Sequence, residues 1–207
     1  MSEFVTLAVK HNIATVTLNR PDKANALTAC MLTSVAQAVR SVQAVPVLVV
    51  TGVGKVFSAG ADLEMLGQGL ATDPAWEDAS HAIAAHPGLS VARLNGTAAG
   101  GAMGMVLACD LRVAVSTANF FYPVLANGVD PQPSDPKRMA DLVGPSRTAA
   151  FFCLGQKITA STAHDWGLVN DIVDPDGLDS WVSDQLAGPA AAREGAIQKI
   201  KQMIRGA

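Results

Sequence analysis

Two glycine-rich stretches carry the clearest chemical signal in this 207-residue sequence, Gly52-Val-Gly-Lys-Val-Phe-Ser-Ala-Gly-Ala-Asp62 and Asn95-Gly-Thr-Ala-Ala-Gly-Gly-Ala-Met-Gly104. Each follows a short apolar run, residues 46–51 or 89–94, and each passes into a helix-compatible run, residues 63–66 or 102–109. Glycines at a helix start let a ligand approach the backbone and leave amide N–H groups without intrahelical partners. Amides at the positive end of a helix suit a negatively charged oxygen. The alternative is packing, since Gly100 and Gly104 lie four apart and would let a helix approach its neighbours. Neither stretch has the Gly-x4-Gly-Lys-Ser/Thr or Gly-x-Gly-x-x-Gly spacing of the common phosphate-binding loops. If the two turns converge, their amides make a two-donor pocket for an oxyanion, each donor worth about 3 kcal/mol of transition-state stabilisation.

The elements that would position these turns can be read from hydrophobic periodicity. Residues 4–9 and 13–18 are alternating β-branched runs around Lys10-His11-Asn12, which predicts a hairpin. Leu27, Met31, Val35, Val39 and Val42 recur at helical spacing and predict a helix over 28–43. Residues 46–51 are apolar without a break, as in a strand buried on both faces of a parallel sheet. Strand, helix, strand is the grammar of an α/β fold, and in open α/β sheets ligands sit beyond the carboxyl ends of the strands. Further on, the pattern predicts a helix over 75–85, a strand over 111–115 and a short extended piece over 119–123. A proline-rich loop over 130–136 follows, then helices over 137–143, 146–154 and 160–166, the last capped by Gly167. A strand over 168–173 and two helices, 178–186 and 190–204, close the chain.

Composition bounds the partners. Half the chain is apolar and the net charge is −3, with no long basic run, so no nucleic-acid surface is expected. No apolar run approaches the roughly 20 residues of a membrane helix, and the N-terminus has no basic segment followed by an apolar one. A protein of the cytoplasm, with no membrane association, is expected. Cys30, Cys109 and Cys153 are widely spaced in apolar contexts, which predicts small core residues and no metal or redox pair.

Five stretches then occur in order: Asn19-Arg-Pro-Asp-Lys-Ala-Asn-Ala-Leu27, Phe57-Ser-Ala-Gly-Ala-Asp-Leu63, Asn95-Gly-Thr-Ala-Ala-Gly-Gly101, Ala108-Cys-Asp-Leu-Arg-Val-Ala114 and Ala163-His-Asp-Trp-Gly-Leu-Val169. Together they resemble the crotonase, or enoyl-CoA hydratase/isomerase, superfamily. The resemblance implies an α/β fold, a spiral of ββα units over residues 1–174, followed by a short C-terminal helical segment over 175–207. That segment reads as truncated, because members continue for two or more helices that cover the CoA pocket and build a trimer. It implies an acyl-CoA thioester substrate, coenzyme A entering as part of the substrate with no prosthetic group or metal, and a homotrimer or hexamer. By position, the amides of Ala61 and Gly101 would hold the thioester oxygen as an enolate forms. Lys23 and Ala24 would contact the nucleotide end of CoA, and backbone near Ala59 and Leu63 would hold adenine and pantetheine. Asp62 would hold the turn that presents the Ala61 amide.

The sequence departs from the pattern at the acids. Hydratases of the family place one glutamate three residues after the oxyanion glycine and another just after the proline of the next strand, where this chain has Gly104 and Val124. Adding water to a double bond needs groups that activate the water and protonate carbon, so a standard hydratase is not expected. The resemblance leaves isomerase, decarboxylase, thioesterase or dehalogenase chemistry, with Asp130 as candidate acid or base and His81 and Glu77 behind it. Tyr122 could orient substrate, with packing as its alternative. The competing expectation is a non-catalytic member that binds an acyl-CoA or acyl-carrier thioester; a decarboxylase acting on a carrier-bound thioester is a third.

Overall fold

Strand burial follows the apolar patterning. In the computed structural model, which describes residues 2–206, every second residue of β2 (Ile13–Leu18) is buried, and all of β3 (Val47–Gly52) is. β1 (Val5–Lys10) pairs antiparallel with β2, as the hairpin pattern predicts, and β2 lies parallel to β3. Between them runs α1 (Ala29–Ser41), capped by Thr28, whose hydroxyl accepts from Met31 N at 3.3 Å and contributes about 1 kcal/mol. Met31, Leu32, Val35 and Val39 form its fully buried stripe, each large side chain worth roughly 1.5–3 kcal/mol when removed from water.

From β3 onward the chain winds as a spiral. Each turn runs a strand in one sheet, bends, adds a short strand to a second sheet, and returns through helix. The first turn is β3, β4 (Val56–Ser58), α2 (Leu63–Leu66) and α3 (Ala75–Ala84). The second is β5 (Leu89–Leu94), β6 (Thr97–Ala99) and α4 (Ala102–Ala108); the third is β7 (Leu111–Val115), β8 (Asn119–Phe121) and α5 (Val124–Asn127). Then follow α6 (Asp135–Val143), α7 (Pro145–Cys153), β9 (Ile158–Thr159), α8 (Ala160–Asp165), β10 (Asp171–Val173), α9 (Leu178–Ala190) and α10 (Ala196–Arg205). The six-stranded sheet has the order β1-β2-β3-β5-β7-β10 and the four-stranded sheet β4-β6-β8-β9. Arg112, fully buried, ties the spiral to its end by donating to Leu168 O at 2.6 Å and Cys109 O at 2.6 Å. That bond set joins two of the stretches that carry the family resemblance.

Several expectations are corrected. β4 and β6 lie inside what reads as glycine-rich turn, because three-residue strands of small side chains show no period and exist only through pairing with one another and with β8. α6 begins at Asp135 within the expected proline-rich loop, with Pro136 in its first turn where its missing N–H costs nothing. α9 runs on to Ala190 and α10 starts only after Gly195. Cys30 and Cys153 are exposed, since each sits on the solvent side of its helix; Cys109 alone is buried. Met1 and Ala207, the outer bounds of the two expected segments, lie outside the described residues. Among those described, no helix is long and apolar enough to cross a membrane.

Candidate functional site

The two glycine turns are brought together backbone to backbone. Gly60 has φ +91°, and a Cβ built on it would stand 2.7 Å from Ala99 O and 3.4 Å from Gly100 Cα, so only glycine fits. The loop before α1 holds the first turn in place: Leu27 N donates to Gly60 O at 2.7 Å, Asp62 N to Leu27 O at 2.9 Å and Ala59 N to Ala24 O at 2.9 Å. Buried Asn25 binds across the same loop, its Nδ2 donating to Val53 O at 3.0 Å and Val56 O at 2.8 Å. The second turn is fixed by Gly100 N donating to Phe121 O at 3.0 Å. Among the described residues, the N–H groups of Ala61 and Gly101 have no acceptor within the protein. Both residues line one cavity of about 200 Å³.

That cavity is mostly apolar. Leu66, Trp76, Val124 and Val129 supply its walls, and Tyr122, Asn127, Asp130 and Gln132 its polar side chains. Trp76 is locked by donating from Nε1 to Leu70 O at 2.8 Å, and Gln132 by donating from Nε2 to Ala71 O at 3.0 Å. Asp62 is structural, as expected: it caps α2 by accepting from Glu64 N at 3.0 Å and pairs with Arg20 at 2.5 Å. The Arg20 guanidinium holds its carboxyl below the usual range.

Of the candidates read from sequence, Ala59, Ala61, Leu63, Gly101 and Asp130 all line the cavity, Asp130 from an exposed position at its rim. Lys23 and Ala24 do not line it. Lys23 is exposed and lies 3.6 Å from Glu64, while Ala24 acts through its carbonyl on Ala59. The structure does not bring His81 to the cavity. Its ring faces solvent from the outer side of α3, where it approaches Glu77 at 3.4 Å, because helical spacing gives the inner face to Trp76, Ala79 and Ile83. Glu77 bridges inward with its other oxygen, Oε1 accepting from Ser134 N at 3.1 Å and Ser134 Oγ at 2.9 Å.

The sequence reading missed Asp135. Its side chain is fully buried and lies against Gly104, whose built Cβ would meet Asp135 Oδ1 at 2.9 Å and Oδ2 at 3.2 Å. A carboxylate therefore fills the space beside residue 104 after all, delivered by α6 instead of by α4. Neither of its oxygens finds a hydrogen-bond partner, and Arg138 Nη1 stops 3.9 Å from Oδ1. Burial pushes its acid constant up to about 7, against the opposing pull of Arg138 and with a further push from Glu77. The only sequence signal was Pro136 marking a helix start, which says where Asp135 sits in α6 and nothing about what it faces.

Comparison with known proteins agrees with this architecture. The family model described as enoyl-CoA hydratase/isomerase matches residues 8–205. A 4-chlorobenzoyl coenzyme A dehalogenase from Arthrobacter sp is 30% identical, the match covering 93% of this chain and 76% of that protein. A crotonyl-CoA hydratase from Syntrophomonas wolfei is 33% identical over 85% of this chain and 71% of its own length. The crystal structure of an enoyl-CoA hydratase/carnithine racemase from Magnetospirillum magneticum superposes with a TM-score of 0.92 at 27% identity, covering 100% of this chain and 81% of the other. A spiral of ββα units with this sequence match defines the class: the chain belongs to the enoyl-CoA hydratase/isomerase family, the crotonase superfamily.

Proposed function

We propose that the protein is an acyl-CoA enzyme in which the Ala61 and Gly101 amides stabilise a thioester enolate. The observation that carries this reading is the pair of acceptor-free N–H groups on two converged turns, on residues that both line one apolar cavity. Preorganised donors of this kind favour charge that develops on the thioester oxygen as the α-carbon gives up a proton, a carboxylate or another leaving group. Gly104 and buried Val124 offer no carboxylate for water addition, which favours isomerase, decarboxylase, thioesterase or dehalogenase chemistry over hydration. Asp130 is the one carboxylate lining the cavity among the described residues. The mouth of the site, with Lys23, Ala24, Ala59 and Leu63 close together along one loop pair, is the proposed path for coenzyme A. A homotrimer or hexamer would cover Ile200, Met203 and Ile204, which stand exposed on α10.

Calorimetry with butyryl-CoA and phenylacetyl-CoA, run beside α-proton exchange in deuterated buffer, tests the reading. Binding with exchange is expected, and Gly101→Pro, which deletes one donor, is expected to abolish exchange. Tight binding with neither exchange nor turnover would instead favour the non-catalytic thioester-binding member. Absence of binding to either ester would overturn both.

A further inference from the structure

A buried carboxyl that the cavity does not reach directly stands behind a hydroxyl that it does. Tyr122 lines the cavity and follows Phe121, whose carbonyl accepts from Gly100 N, so the phenol stands next to the oxyanion glycines. Its hydroxyl accepts from Gln132 N at 3.4 Å, which leaves its own proton free to turn. Beside the phenol lies Asp135, fully buried, its carboxyl acting directly on the Tyr122 hydroxyl although neither oxygen holds a hydrogen bond of ordinary geometry, with Gly104 opening the space that it fills. Leaving a buried carboxylate unsatisfied is costly, and such groups concentrate where a proton must be held or moved.

We propose that Tyr122 is the catalytic group that exchanges a proton with the substrate's α-carbon, and that Asp135 is the positioning residue that takes and returns the Tyr122 proton from behind. The inference rests on the acyl-CoA reading above. In the forward step the α C–H bond breaks toward the Tyr122 oxygen while the Tyr122 O–H bond breaks toward an Asp135 oxygen. The C–H electron pair moves into the thioester as an enolate held by Ala61 and Gly101. One proton has left carbon, one has reached Asp135, and the phenol is neutral at both ends of the step. The reverse sequence returns a proton to carbon. Burial, with Asp135 and Glu77 nearby, raises the Tyr122 constant, so a free phenolate is disfavoured and the two transfers are coupled.

The relay needs Asp135 ionised before it can accept. The charged and titratable groups facing it are Tyr122 from the exit of β8, Glu77 from α3 and Arg138 on its own helix. Among the described residues α4 presents no charged group there, only Gly104, and the neutral Cys109 thiol just past its end lies near Arg138. Raised to about 7, Asp135 would make exchange rise with pH through the neutral range and then level off.

The test is deuterium uptake at the α-carbon of phenylacetyl-CoA from pH 5.5 to pH 9, with calorimetric binding of the same ester measured in parallel. Tyr122→Phe and Asp135→Asn are each expected to slow exchange by roughly 100-fold at pH 8, to remove the rise near neutrality, and to leave the binding constant within about threefold. The double variant should be no slower than either single one, because both remove one unit. An Asp135→Asn protein that keeps both rate and pH rise overturns the proposal, as does one that loses binding along with exchange, which would mark a packing role. If Asp135→Asn does not fold, Tyr122→Phe decides alone, and unchanged exchange in it is fatal. Wild-type exchange that neither variant slows overturns the relay and leaves the acyl-CoA reading standing; wild-type binding without exchange removes the relay and favours the non-catalytic thioester-binding member, and wild-type failure to bind removes both readings and the relay with them.

Discussion

Two aspartates flank helix α4, and the protein treats them in opposite ways. Asp110, just beyond the helix end, is fully engaged: it accepts from Ser90 N at 2.8 Å, Ser90 Oγ at 2.8 Å and Lys201 Nζ at 2.7 Å. Lys201 also donates to His86 O and Gly88 O, each at 2.8 Å, so one ion pair pins α10 to the start of β5. Asp135, beside the middle of the same helix, is more deeply buried and has no hydrogen bond of ordinary geometry, only the looser approach of Tyr122. A partnered buried charge holds structure together; an unpartnered one costs stability and persists where something else requires it. The Asp110 end of α4 is a clasp, and the Asp135 side is a place where stability has been given up.

The contrast yields tests of decreasing size. Asp110→Ala should have the largest effect, about 3 kcal/mol of lost stability, because it leaves the Lys201 ammonium buried without its counter-charge. Chemical denaturation measures it, and a loss near zero would mean that the clasp is ornamental. Gly104→Ala should cost about 1–3 kcal/mol by driving a methyl into the Asp135 carboxylate. Adding Asp135→Ala should recover most of that loss, so a double-mutant cycle with no coupling would deny the contact.

Asp135→Asn should act with the reverse sign and smaller size. The constant of Asp135 is raised from 3.8 to about 7, so between those values the folded chain binds more protons than the unfolded one. Ionising it therefore lowers stability as pH rises through that window. The asparagine variant should melt a few degrees above the wild type at pH 8, at roughly 2–4 °C per kcal/mol. The gain should shrink toward pH 4. A gain independent of pH would point to packing instead of charge. At the rim, Asp130→Asn should slow α-proton exchange only about two- to fivefold, since an exposed carboxylate interacts weakly through water. A tenfold loss would move the proton-transferring role from the buried pair to Asp130.

Much of the site was legible before any coordinates. The glycine turns, the unbroken burial of β3 and the alternation in β2 follow from residue type and period, which are local properties. The glycine turns offered donors from residue type alone, but the choice of the Ala61 and Gly101 amides came from the family resemblance. What failed were statements about direction. His81 and Glu77 share a helix, yet one faces solvent and the other reaches Ser134, and helical spacing alone does not say which face meets the cavity. β4 and β6 failed for a different reason: three residues carry too little pattern, and their strand character comes from pairing across the spiral.

The sequence by itself therefore determined the longer elements and the two glycine-rich turns, because these depend on neighbours in the chain, and through the family resemblance it marked positions 104 and 124 as lacking a carboxylate. Only the tertiary structure decided that α6 returns across α4 and sets Asp135 beside Gly104, 31 positions earlier in the chain. No local rule links a glycine on one helix to an aspartate at the start of another. Their meeting is fixed by the winding of the spiral, and the burial that follows from it gives Asp135 its altered acidity.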